Sequence, residues 1–130
     1  MEIKLGRVVI LVEDYDKAFD FYEKNFFCKK LFDSTMENGQ RYLHIAFKSD
    51  DNVGIWFMKT EAAEQKNRIG KQTAGQPTIV IYTDDCKNLY THVKKNGVKL
   101  IGEIVMTEEN KFFHCYDLYE NNLLIVELSQ

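Results

Sequence analysis

No apolar run in this sequence approaches the length of a membrane span, and the first residues, MEIKLGR, lack the hydrophobic segment of a secretory signal. The expectation is a cytoplasmic protein with no membrane partner. Cysteine is sparse: Cys28, Cys86 and Cys115 are odd in number and have no close-pair spacing. That argues against a disulfide framework or a cysteine zinc site and fits reduced thiols. An excess of positive charge is missing as well. Seventeen Lys and Arg stand against twenty Asp and Glu, a formal net charge of −3, with the lysines scattered among acids. Such a surface offers no basic face to nucleic acid or to an anionic membrane, which leaves a small molecule as the expected partner. At 130 residues the chain can bury one continuous core and has little room for a second independent one, so a single domain over residues 1–130 is expected.

What the sequence does contain is a repeat. Arg7 to Phe27, RVVILVEDYDKAFDFYEKNFF, reads as one strand running into one amphipathic helix. Tyr15, Ala18, Phe19, Tyr22 and Phe26 form an apolar stripe at helical spacing, and Asp14 stands where an N-cap belongs. Shifted by 71 positions, Thr78 to Val98 repeats the pattern: Asp85 falls on Asp14, Cys86, Leu89, Tyr90 and Val93 form the stripe, and Asn96-Gly97 supplies a left-handed stop.

Arg7 to Val12 is apolar on both faces, which predicts a strand covered on each side. Lys29 to Met36 and Arg41 to Phe47 flank Glu37-Asn38-Gly39-Gln40, a strong hairpin-turn signal. A polar loop, Ser49 to Asn52, leads to a fourth strand, Val53 to Met58. At a shift of 70, RYLHIAF meets KFFHCYD, His44 meets His114, and VGIWFM meets LLIVEL. Each half alone would leave a sheet face uncovered. The expected fold class is therefore α+β, two βαβββ modules whose mixed sheets curve around a central cleft, with module 1 at about 1–58, a connector at 59–75 and module 2 at about 76–130. The glycine-punctuated connector up to Pro77 reads either as a solvated link or as a lid.

These stretches resemble the vicinal oxygen chelate superfamily, also called the glyoxalase/bleomycin resistance/dioxygenase family. VEDYDKAFDFY is similar to its V-x-D-x-x-x-A-x-x-FY opening, TDD opens the second module, NGVKLIGE follows, and DLYENNLLIVEL is similar to D-P-x-G-N-x-x-E-L. The resemblance covers nearly the whole chain. Metal-dependent members take one ligand from the first and one from the fourth strand of each module, and the matching positions here are Arg7, Gly54, Thr78 and Leu124. Arginine is a permanent cation, and glycine and leucine have no side-chain donor. The resemblance thus implies no metal and no other cofactor, and puts glyoxalase, dioxygenase and epoxide-opening chemistry in doubt. Glu127, three residues past the matching place, reads as an exposed strand-end acid.

Strand alternation from those positions puts Arg7, Trp56 and Tyr82 on the ligand-facing side, and the resemblance adds the third-strand residues, implying that His44 and His114 face the pocket with Tyr42, Phe112 and Tyr116 beside them. The aromatic residues read as core or as a ligand cage, the histidines as structural groups or as pocket residues, and Arg7 as half of a salt bridge or as the partner of a ligand anion. Three functions compete. The first is the metal-free, bleomycin-resistance type of binding protein, usually a homodimer, sequestering an aromatic or anionic compound. The second is an enzyme, lactoylglutathione lyase-like or dioxygenase-like, with an unrecognised metal site or with His44 or His114 as acid-base catalyst. The third is an accessory module that makes only protein contacts.

Overall fold

The computed structural model describes residues 1–48 and 50–128, apart from the side chains of Asp50 and Asp51. Two compact units divide it, Met1–Ile69 and the remainder from Gly70 onward. In the first, β1 (Arg7–Val12), α1 (Tyr15–Phe26), β2 (Lys29–Thr35), β3 (Arg41–Phe47) and β4 (Asp50–Lys59) are followed by the short α2 (Ala63–Lys66). In the second, β5 (Pro77–Thr83), α3 (Cys86–Lys95), β6 (Leu100–Met106), β7 (Lys111–Tyr116) and β8 (Asn122–Glu127) repeat the order. The sheets are ordered β1-β4-β3-β2 and β5-β8-β7-β6. Each is mixed: the edge strand that precedes the helix pairs in parallel with the last strand, and the other pairings are antiparallel. The α+β fold of two βαβββ modules is the one the repeat predicts.

Local chemistry explains the helices. Asp14 Oδ1 accepts from the Lys17 amide at 3.0 Å and Asp85 Oδ1 from the Asn88 amide at 3.1 Å, each occupying an amide of the first turn that has no helical partner. At the far end of α3, Gly97 takes φ +84° and the Val98 amide reaches back to the Val93 carbonyl at 3.0 Å. Helix α1 ends the same way without a glycine. Phe27 itself is left-handed at φ 59°, a conformation that costs about 1–2 kcal/mol for a residue with a Cβ.

The helix buries one face of each sheet. Ile10, Val12, Leu43, Ile45, Ile55 and Phe57 are buried with Ala18, Phe19, Tyr22 and Phe26 of α1, and the Tyr22 and Phe57 rings lie 5.6 Å apart. In the second unit Ile81, Phe113, Cys115, Leu123 and Ile125 are buried with Cys86 and Val93, while Tyr90 meets Phe113 edge-on at 5.3 Å. Removing each large apolar side chain from water is worth about 1.5–3 kcal/mol. All three cysteines are buried and free. Burial pushes the Cys28 and Cys115 thiols up to about 12, so they stay protonated and unreactive.

Three expectations need correction. β1 is fully buried on one face only: Ile10 and Val12 are buried, whereas on the other face Arg7 and Leu11 are half-buried and Val9 is 37% exposed. Of the expected polar loop Ser49 to Asn52, Ser49 lies outside the described residues, while Asp50 to Asn52 open β4, the ladder being extended by the Phe47 to Asp50 pair. Glu127 is not a plain exposed acid. Its Oε1 accepts from the Cys86 amide at 3.0 Å, capping α3 beside Asp85, and its Oε2 pairs with Lys111 Nζ at 3.3 Å.

Candidate ligand-binding faces

Opposite the helix, each sheet presents a face built from alternate residues of its strands. Pairing in the first unit places Phe32, His44, Trp56 and Val9 in one row across β2, β3, β4 and β1, with Arg7 beside Gly54 one step along. The rings touch: His44 to Trp56 5.0 Å, Phe32 to His44 5.6 Å, Tyr42 to Trp56 5.6 Å between centroids. Four residues selected from sequence, Arg7, Tyr42, His44 and Trp56, therefore assemble on one face. Phe32 joins them unforeseen. A register irregularity between Lys30 and Phe32 sets its facing, and nothing in the local sequence marks that irregularity.

Arg7 holds this cluster by donating. Its Nε lies 3.1 Å from His44 Nδ1 and its Nη1 2.7 Å from the Gly6 carbonyl. A guanidinium has no lone pair to offer, so His44 Nδ1 accepts and the neutral ring carries its proton on Nε2. That Nε2 is buried and has no hydrogen-bond partner among the described residues. Burial, and then the Arg7 charge, lower the His44 pKa from its ordinary value, so the ring stays neutral near pH 7. Among the described residues Arg7 has no carboxylate partner.

Gly54 is confined sterically. A Cβ there would sit 2.7 Å from the Ile45 carbonyl oxygen and 2.9 Å from Leu31 Cδ1. The fourth-strand position of this sheet accordingly has no room for a longer side chain of any kind, donor or not.

In the second unit the equivalent row is Ile101, His114, Leu124 and Val80. Tyr82 and Phe112 flank Val126 in the next row, and Tyr116 pairs with Asn122. Phe112 meets His114 edge-on at 6.2 Å. Tyr82, Phe112, His114 and Tyr116 thus share a face by register, with Tyr82 66% and Val80 51% exposed. This pairing corrects the alignment at β8. His44 lies opposite Trp56 but His114 opposite Leu124, so Leu124 corresponds to Trp56, and the counterpart of Gly54 is Asn122. Trp56 lies twelve positions after His44 but Leu124 only ten after His114, so a constant shift carried from the histidines lands two residues late; because two is even, the face is unchanged.

Asn122 gives His114 an orienting partner. His114 Nδ1 and Asn122 Oδ1 are 2.9 Å apart, and Asn122 Nδ2 donates to the Gly75 carbonyl at 3.3 Å. The loop before it is stiff. Asp117, 5% exposed, accepts from the Tyr119 and Asn121 amides and from Asn121 Nδ2, each at 2.9 Å. Thr78 lies at an irregularity of β5, its hydroxyl 3.1 Å from that of Thr73. Among the described residues no group of three His, Cys, Asp or Glu is placed to hold a metal ion, and no helix is long and apolar enough to cross a membrane.

An uncharacterised protein of Shewanella frigidimarina is 24% identical over 130 residues, 99% of this chain and 96% of that one. The crystal structure of UcmS2 superposes with a TM-score of 0.82 at 20% identity, covering 97% of this chain and 98% of the other. That of TnmS3, an antibiotic binding protein from Streptomyces sp. CB03234, superposes at 0.79 with 21% identity over 99% of both chains. At such identity the two structures speak for the fold alone. The family model of the Glyoxalase/Bleomycin resistance protein/Dioxygenase superfamily matches residues 4–125, and this chain belongs to that superfamily.

Proposed function

We propose that the protein binds a small aromatic anion without a metal, through Arg7 and the rings around it. The observation that carries this reading is a guanidinium on an aromatic sheet face whose hydrogen-bond partners among the described residues, His44 Nδ1 and the Gly6 carbonyl, are both neutral. A cation in that setting gains most from an oxyanion, while Trp56, Tyr42 and Phe32 can cover an apolar body. The His44 Nε2–H, without a partner among the described residues, adds a second donor. Leaving it unmet costs about 1–3 kcal/mol, a cost an arriving oxygen would remove. Against a metal stand the fixed cation at Arg7 and the filled space at Gly54. TnmS3, described as an antibiotic binding protein, has the same fold and supports a binding role for this one.

The reading includes a cytoplasmic homodimer, supported by the exposed Phe27 and Phe32. Phe47 does not add to that surface; it is half-buried, its ring 6.3 Å from Phe26. The second reading, an enzyme of this superfamily using histidine as acid-base catalyst, is favoured by one observation: Asn122 orients His114.

The test pairs ligand and metal. Arg7→Ala should weaken binding of anilinonaphthalene sulfonate by about 1.5–3 kcal/mol, the range for a charged hydrogen bond, with the circular dichroism unchanged. Elemental analysis after incubation with nickel, zinc, iron and manganese should find far less than one equivalent. Near-stoichiometric metal together with lyase or dioxygenase activity overturns the proposal.

A further inference from the structure

The second sheet offers the opposite hydrogen-bonding sense. Because the Asn122 amide nitrogen is turned to the Gly75 carbonyl, which can only accept, the amide oxygen faces His114. An amide oxygen cannot donate, so His114 Nδ1 must carry the proton, and in the neutral ring Nε2 is left with a bare lone pair. His44 is the reverse: its Nδ1 accepts from Arg7, and its Nε2 carries the proton. No hydrogen bond to His114 Nε2 is made by the described residues, and the ring is half-buried. Phe112 stands edge-on to the imidazole, and the exposed Val80 and Tyr82 continue the apolar face around it. No arginine or lysine is hydrogen-bonded to this histidine among the described residues.

We propose that the open face of the second sheet is a recognition site for a phenolic ring, with His114 Nε2 accepting the hydroxyl proton and Phe112 and Tyr82 covering the ring. Asn122 is its positioning residue, holding the imidazole in the tautomer that accepts. The site needs nothing from Arg7, so it stands or falls apart from the anion-binding reading. An aromatic hydroxyl suits it because one short acceptor flanked by apolar surface distinguishes O–H from C–H and from an ether oxygen, which carries only lone pairs.

The experiment uses the whole protein and two probes, para-cresol and its methyl ether. Nitrogen-15 histidine spectra should show His114 protonated at Nδ1 and His44 at Nε2, and cresol should shift His114 Nε2 while leaving His92 unmoved. Cresol should bind roughly three- to tenfold tighter than the ether, the ratio one neutral hydrogen bond supplies. Asn122→Ala should let both His114 tautomers appear and erase that preference; Arg7→Ala should leave it intact. A His114 ring protonated at Nε2 in the wild type, equal binding of the two probes, or loss of the preference in Arg7→Ala overturns the proposal. If anilinonaphthalene sulfonate does not bind but the cresol response is seen, the anion-binding reading fails and this one survives.

Discussion

The two units share an element order, a helix cap, a buried sheet face and a histidine on the third strand, yet the two histidines are wired in opposite senses. In the first unit the neighbour is a cation that can only donate; in the second it is an amide oxygen that can only accept. Repeating a fold copies the backbone positions from which side chains project, and the chemistry of each position is then set by its neighbour across the ladder. Arg7 has Gly54 opposite because a larger residue would collide with the Ile45 carbonyl, whereas the equivalent place in the second sheet has room for Asn122.

That difference in space gives the largest expected effect. Gly54→Ala must push its methyl against a backbone oxygen 2.7 Å away, which cannot swing aside as a side chain could, and should cost about 2–3 kcal/mol, the upper part of the range for overpacking. Asn122→Ala removes two hydrogen bonds from a half-buried amide and should cost roughly 1 kcal/mol. Urea denaturation of both variants checks the ranking. Equal losses would mean that the β4 backbone yields readily, and the steric contrast between the sheets would dissolve.

Much of the frame was legible because it rests on local signals. Asp14 and Asp85 cap as their positions before the apolar stripes predict. Asn38-Gly39 turns the β2–β3 hairpin, with Gly39 at φ +84° and Asn38 Oδ1 accepting from the Gln40 amide at 2.9 Å. The glycine after α3 is the left-handed residue that ends it, while Asn96 keeps helical geometry. What escaped depends on pairing between distant strands. The two extra positions from His44 to Trp56, against those from His114 to Leu124, displaced the match at β8 and hid Asn122, and the irregularity in β2 decided that Phe32 would join the Arg7 face. Glu127 as a second cap of α3 is likewise a contact across 41 positions, which no helix-start rule reads from the sequence.

A smaller effect concerns the histidine of the first sheet. His44 is held below its ordinary pKa by burial first and by the Arg7 charge second. The unfolded chain binds a proton at about pH 6.5, before the folded one does, so this group's contribution to stability is complete above that pH and is lost as pH falls through the lower, folded value. Stability should therefore decline on acidification below about pH 6.5, and the decline should be shallower in His44→Gln. In Arg7→Met the His44 midpoint, followed by proton NMR, should rise only part of the way, since burial remains. A full return to the ordinary value would make Arg7 the whole cause and leave burial of the ring without effect.

The smallest expected effect separates two cations at matching starts of β3 and β7. Arg41 grips Asp33 with a fork, Nε to Oδ1 at 2.8 Å and Nη2 to Oδ2 at 2.9 Å, and reaches Asp16 of α1 at 3.0 Å. Lys111 meets Glu127 with a single ammonium at 3.3 Å. The Arg41 hydrogen bonds hold the Asp33 carboxyl down to about 2. A carboxyl depressed in the fold adds stability that is complete above its unfolded pKa, near 3.8, and is lost as pH falls through about 2. Asp33 and Arg41 are partly exposed, 29% and 23% at the side chain, and water screens the pair, so its worth at neutral pH is about 0.5–1 kcal/mol rather than the full shift. Arg41→Lys should forfeit that amount and raise the Asp33 midpoint, because an ammonium cannot span both carboxylate oxygens. Lys111→Arg should change stability by less than about 0.5 kcal/mol, since Glu127 already spends one oxygen on the Cys86 amide. Carbon-detected titration of Asp33 beside urea denaturation of both variants reads the two quantities together. An Asp33 midpoint still near 2 with lysine at position 41 would show that charge alone, without the fork, sets it.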